Sequence, residues 1–224
     1  MPNASLRRAR LAGLLAALAL PIANPAQAHP HVWIVARAVV EYDGARVTGV
    51  RHNWRFDPAY GSFVTQGLDA NGDGRLSPEE LQGLATENAA NLAEFGYFTK
   101  LKVGGVEPPF AAPREPRMAM DADGLTLSFL LPLKTPAAQG RGVTALEVYD
   151  PTYFVSFGLA DGADAVTLRG APAGCAVSIT RPKATEPKTA EAGKPMTEAF
   201  FDALTAASAG YGVQFANRAL VACP

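Results

Sequence analysis

The chain has 224 residues, of which 48% are hydrophobic and 18% charged, enough for one sizeable core and too balanced for wholesale disorder. Its 21 glycines and 18 prolines imply many turns and argue against an all-helical bundle. The net charge of -1, with no basic stripe, speaks against nucleic acid as a partner.

Residues 1–28 have the pattern of a secretory signal peptide. Arg7, Arg8 and Arg10 form a positive segment, Leu11 to Leu20 is an apolar run, and Ala26-Gln27-Ala28 is a small-x-small cleavage site. The run is too short to cross a bilayer as a helix, so no retained membrane span is expected. Cleavage would leave a single domain over 29–224 that begins at His29. Losing three arginines and no acid leaves 17 basic against 21 acidic residues, net -4. The two cysteines, Cys175 and Cys223, form an even pair that in an oxidising compartment invites a disulfide. Two buried thiols are the other reading, and the absence of CxxC spacing disfavours redox catalysis.

The mature chain opens with strand-like segments at 31–41 and 46–56 joined through Asp43-Gly44, a hairpin signal. Helical spacing follows at 58–68 and 79–95, with a polar loop between. Extended segments are expected at 98–106, 125–133, 144–149, 153–158, 165–169 and 175–180. A Pro-rich loop (EPPFAAPREP) precedes the second of these. The stretch 181–196 reads as an exposed loop, 197–207 as a helix and 211–221 as a last strand.

The polar loop runs Asp69-Ala70-Asn71-Gly72-Asp73-Gly74-Arg75-Leu76-Ser77-Pro78-Glu79-Glu80. Oxygen donors stand at loop positions 1, 3, 5, 9 and 12, with glycine at position 6, as in an EF-hand. Calcium wants six to eight hard oxygens. Asp69, Asn71, Asp73 and Ser77 would supply side chains, Arg75 its carbonyl, and Glu80 a closing carboxylate. Ser77 and Glu80 also make a capping box, with Pro78 at the first helical position. With the element order, this predicts an α+β fold: a mostly antiparallel sheet with an inserted helix–calcium loop–helix unit at 58–95.

All three histidines, His29, His31 and His52, fall in or near the opening hairpin. On an extended strand His29 and His31 share a face, and imidazole suits Zn2+, Cu2+, Ni2+ and Co2+. Pro30 has no N–H to lose, which blocks a square-planar copper site built on backbone amides. A two-residue turn at Asp43-Gly44 pairs residues whose numbers sum to 87, setting His52 opposite Val35, about 13 Å from the His31 position. His52 is therefore the weakest member of the transition-metal set. Asp57 or Asp150, each in a DPxY segment, could complete the site. No nucleophile elbow, P-loop or dinucleotide fingerprint occurs.

These residues together resemble a known family. His29-Pro30-His31-Val32-Trp33-Ile34, Trp54-Arg55-Phe56-Asp57-Pro58-Ala59-Tyr60, the loop at 69–80, Tyr97-Phe98 and Val148-Tyr149-Asp150-Pro151-Thr152-Tyr153 are similar to uncharacterised periplasmic proteins labelled as components of an ABC-type transport system. The resemblance implies a periplasmic accessory role in transition-metal handling, with a membrane metal transporter or its periplasmic components as partner. The leading expectation is a calcium-stabilised metal-binding accessory protein rather than an enzyme. Its alternatives are a calcium-stabilised docking module and a copper enzyme with a histidine brace.

Overall fold

Strict alternation organises the opening hairpin. In β1 (Val32–Asp43) the residues Val32, Ile34, Ala36, Ala38 and Val40 are buried, whereas Val35 and Arg37 are exposed. In β2 (Arg46–Phe56) Val50, His52, Trp54 and Phe56 share the buried face. One face of each strand is thus committed to a core. The turn differs from expectation. Asp43 pairs with Arg46, so the two turn residues are Gly44 and Ala45, and Gly44 takes the left-handed conformation (φ 56°). A bulge between Glu41 and Tyr42 shifts the register again, and His52 pairs with Ala38 instead of Val35.

The computed structural model describes residues 31–182 and 211–224. The expected signal peptide, His29, most of the 181–196 loop and the 197–207 helix lie outside the described residues. After β2 come α1 (Pro58–Val64), α2 (Pro78–Asn91), a 3-10 segment at Leu92–Phe98, β3 (Thr99–Val103), β4 (Arg114–Asp121), β5 (Gly124–Ala138) and β6 (Val143–Val148). β7 (Val155–Leu159), β8 (Val166–Arg169), β9 (Ala176–Thr180) and β10 (Asn217–Ala222) complete the described strands. One sheet has the order β4-β5-β2-β1-β7, with β8 also on β1. The other has the order β3-β6-β10-β9. Facing residues such as Trp54, Phe129 and Leu131 from the first sheet, and Leu101, Leu146 and Ala219 from the second, belong to one buried cluster.

The expected α+β class with an inserted helix–calcium loop–helix unit is corrected. The chain is mostly β, and β1 pairs in parallel with β7 and β8, so the first sheet is mixed. The helices do not form a unit of their own, because each finds its apolar partner on a sheet. α1 ends after seven residues, where Thr65 Oγ1 donates to Gly61 O, and it rests on β5, with Gly61 close against Leu125. α2 lays Leu81, Ala85 and Ala89, a stripe at helical spacing, across β4. Gln82 Nε2 also donates to Pro116 O of that strand. The predicted helix over 79–95 stops at Asn91, and Gly96, Tyr97 and Phe98 follow with positive φ.

β4 begins at Arg114, inside the end of the Pro-rich loop expected at 107–116. Pro116 is tolerated because β4 is an edge strand whose register shifts between Arg114 and Arg117. At the other end of the chain, Cys175 and Cys223 are joined by a disulfide one step beyond the Ala176–Ala222 pair of β9 and β10. The bridge spans 48 residues of sequence. Replacing both cysteines by serine is expected to lower unfolding free energy by about 2–4 kcal/mol, mainly by releasing the unfolded chain. Urea unfolding of both forms measures this.

Candidate metal sites

Ser77 caps α2. Its hydroxyl accepts from Glu80 N–H, while Glu80 Oε2 accepts from Ser77 N–H at 2.9 Å, and Pro78 occupies the first turn. The capping box therefore orients Glu80 back over the preceding loop. There Glu80 Oε1 accepts from the amides of Ala70 (2.9 Å) and Asn71 (3.4 Å). Hydrogen bonds from the Ser77 amide first, then its hydroxyl, and from Ala70 and Asn71 hold the Glu80 carboxyl below the usual carboxylate range.

The rest of the loop wraps around its own side-chain oxygens. Asp69 Oδ1 accepts from Gly72 and Asp73 amides, and Asp69 Oδ2 from Gly74 at 2.9 Å. Asn71 Oδ1 accepts from Asp73 N–H, and Asp73 Oδ1 from Arg75 N–H. Gly72 and Gly74 take φ of 71° and 77°, a backbone that β-carbons resist. Asn71, Asp73 and Arg75 are exposed, whereas Leu76 is half-buried and packs on the core, anchoring the loop from below. Among the described residues, no three His, Cys, Asp or Glu side chains are gathered so that they could hold a metal ion. For the loop to coordinate a hard cation, Glu80 would exchange its amide donors for the ion.

His31 is exposed at the start of β1, with its ring stacked on Phe154 at 5.1 Å and its N–H donating to Phe154 O at 2.8 Å. His29 lies outside the described residues. The two DPxY aspartates serve the backbone. Asp57 Oδ2 accepts from Trp33 N–H at 3.0 Å, and Asp57 Oδ1 caps α1 by accepting from Tyr60 N–H. Asp150 is buried and accepts from the amides of Thr152, Phe154 and Val155. Both carboxylates are engaged by backbone amides. Their anchoring role was missed in the sequence, although an aspartate before proline is a usual helix or turn opener.

His52 does not join His31. It pairs with Ala38, seven residues along β1, which is roughly 23 Å at strand rise. Its side chain is fully buried between the sheets, with Nε2 3.2 Å from Thr99 Oγ1 and rings of Trp54 and Phe129 beside it. The signal was present in the sequence, since His52 shares parity with Val50, Trp54 and Phe56. Burial pushes its pKa down to about 3 because the charged form loses its hydration.

This has a pH consequence. Between the ordinary value of 6.5 and about 3 the unfolded chain binds a proton that the folded chain refuses. Stability is therefore full above pH 6.5 and declines as pH falls through that window, by up to about 1.4 kcal/mol per pH unit. The urea midpoint is expected to drop less between pH 7 and pH 4.5 in His52→Phe than in the unchanged protein. Equal drops would remove His52 from the acid response.

Among the described residues, no helix is long and apolar enough to cross a membrane. A protein of Haemophilus influenzae described as uncharacterized is 25% identical over 131 residues, covering 58% of this chain and 62% of its own length. The chain thus spans less than two thirds of that relative. The sequence pattern of a family described as "Protein of unknown function (DUF1007)" matches residues 14–223, nearly the whole chain, and the protein belongs to that family.

Proposed function

We propose that this protein is a periplasmic, calcium-stabilised binding module that docks to a membrane transporter and works by binding rather than catalysis. The observation that supports it best is the loop at 69–80. Five side-chain oxygen donors recur at calcium-loop spacing, glycines stand at its turns, and Asp69 and Asp73 already organise the loop's amides. Calcium would take Asp69, Asn71, Asp73, Ser77 and Glu80 side chains with the Arg75 carbonyl. It would fasten the start of α2, and through α2 the β4 edge.

The signal-like N-terminus and the disulfide support placement in an oxidising, extracytoplasmic compartment. The transporter partner rests on the resemblance of the N-terminal, DPxY and loop motifs to periplasmic transport components.

A second reading, transition-metal capture, is favoured by one feature: His31 is exposed and its ring is held against Phe154 where the mature chain would begin. With His29 and the α-amine it would offer nitrogen donors to Zn2+, Ni2+, Co2+ or Cu2+ and pass the ion to the transporter. His52 takes no part in this version, nor do Asp57 and Asp150.

Calcium at 10 mM, against a dissociation constant of about 10⁻⁴ to 10⁻³ M, is expected to stabilise the fold by about 1.4–2.7 kcal/mol. The melting temperature should rise accordingly, and Asp69→Asn with Glu80→Gln should abolish the rise. No calcium-dependent rise in the unchanged protein would sink the calcium reading. For the second reading, protein exported with its native N-terminus is expected to retain one transition ion per chain and lose it in His31→Asn. Unchanged ion content in that variant would remove His31 as a ligand.

A further inference from the structure

The buried face of β2 carries two nitrogen-bearing rings in succession. His52 and Trp54 stand two residues apart, with ring centroids 5.2 Å from each other, and Phe129 packs against both. Both side chains are almost wholly removed from solvent. Each carries one nitrogen that meets no partner among the described residues: Nδ1 of His52 and Nε1 of Trp54.

The protonation of His52 follows from its other neighbour. Thr99 Oγ1 lies 2.7 Å from Tyr97 O and 3.2 Å from His52 Nε2. A carbonyl only accepts, so the single hydroxyl proton of Thr99 goes to Tyr97 O. The hydroxyl oxygen then accepts, and the hydrogen on the His52 contact belongs to Nε2. A neutral imidazole with its proton on Nε2 has a bare lone pair on Nδ1. The indole Nε1–H of Trp54 is a donor and nothing else. One orphan acceptor and one orphan donor therefore sit on adjacent rings in the same core, where polar groups are almost always paired.

We propose that His52 Nδ1 and Trp54 Nε1–H share a binding site for one internal water molecule between the two sheets. The water oxygen accepts from the indole, and one of its hydrogens goes to the imidazole. The paired chemistry selects this ligand. A cation would face the positive end of the indole N–H, and an anion would face the Nδ1 lone pair. A small neutral molecule that both donates and accepts satisfies the two together, as buried waters characteristically do. The arrangement also gives a role to the left-handed corner at Gly96, Tyr97 and Phe98. That corner leads into Thr99 and aims the Tyr97 carbonyl at its hydroxyl, which sets the tautomer and so the polarity of the water site.

The test uses the full mature chain, labelled with 15N, in which ring nitrogens and their protons are correlated by NMR and contacts to water are read at the indole N–H. The expected result is a proton on His52 Nε2, none on Nδ1, and a cross-peak between the Trp54 indole N–H and a long-lived water. That cross-peak should vanish at the corresponding position in Trp54→Phe. Thr99→Ser should keep the Nε2–H tautomer, while Thr99→Val should release it. A proton found on Nδ1, or an indole N–H with no water contact in the unchanged protein, would overturn the proposal without reliance on any variant folding.

Discussion

The structure depends on the burial of Trp54. Its indole packs edge-on against Phe129 of β5 and Phe157 of β7, at 4.9 and 5.0 Å, and reaches Phe98 just ahead of β3 at 6.4 Å. Three separate parts of the chain therefore meet on one side chain from the middle of the first sheet. A large aromatic in this position contributes several kcal/mol through area and ring geometry. It also sets how far apart the sheets stand, and that spacing leaves room for an imidazole beside it. One of the two ring nitrogens of His52 is met there by Thr99, on the opposing sheet, which offers Nε2 an oxygen.

From that core the fold reaches both candidate sites through backbone anchors. Asp57 closes β2 onto the start of β1 and opens α1 in the same residue, joining sheet to helix with one carboxylate. Asp150 ties the turn after β6 to the start of β7, and Gly212 passes so close to its carbonyl that a β-carbon could not fit. His31 emerges between these two fixed points. The loop at 69–80 hangs between helices that both lean on the first sheet. A change in loop stiffness is thus felt at the β4 edge rather than in a separate helical module.

Much of this architecture was legible in the sequence. Alternation over 31–41 and 46–56 gave the hairpin, and Pro58, Ser77 and Pro78 gave the helix starts, because caps and proline act locally. Register was not legible to the residue. Gly44 placed the turn one position later and a bulge added another step, moving His52 from Val35 to Ala38. β4 was hidden because proline usually rules out a strand, yet an edge position needs no N–H on its free side. The parallel pairing of β1 and the docking of α1 and α2 on the sheets depend on contacts between distant segments, which no local pattern encodes. Of the candidate residues, the loop oxygens are each held by short-range turns against the loop's own amides and, among the described residues, are not gathered on one point. His31 and His52 were grouped by proximity in sequence, and the two-residue period of the strands sets one on the exposed face and the other on the buried face.

The position of β1 has a consequence for how the chain acquires its structure. Among the described strands β1 is made first, and its antiparallel partner β2 follows at once. Its other edge is completed only by Val155–Leu159 and Val166–Arg169, so that Val32 waits for Val155. A nascent chain released from its N-terminus therefore holds one long apolar strand with a row of unsatisfied amides until more than half of the sequence has appeared. Parallel closure across such a separation is slow relative to hairpin formation. During that interval the open edge is the segment most exposed to pairing with the wrong chain.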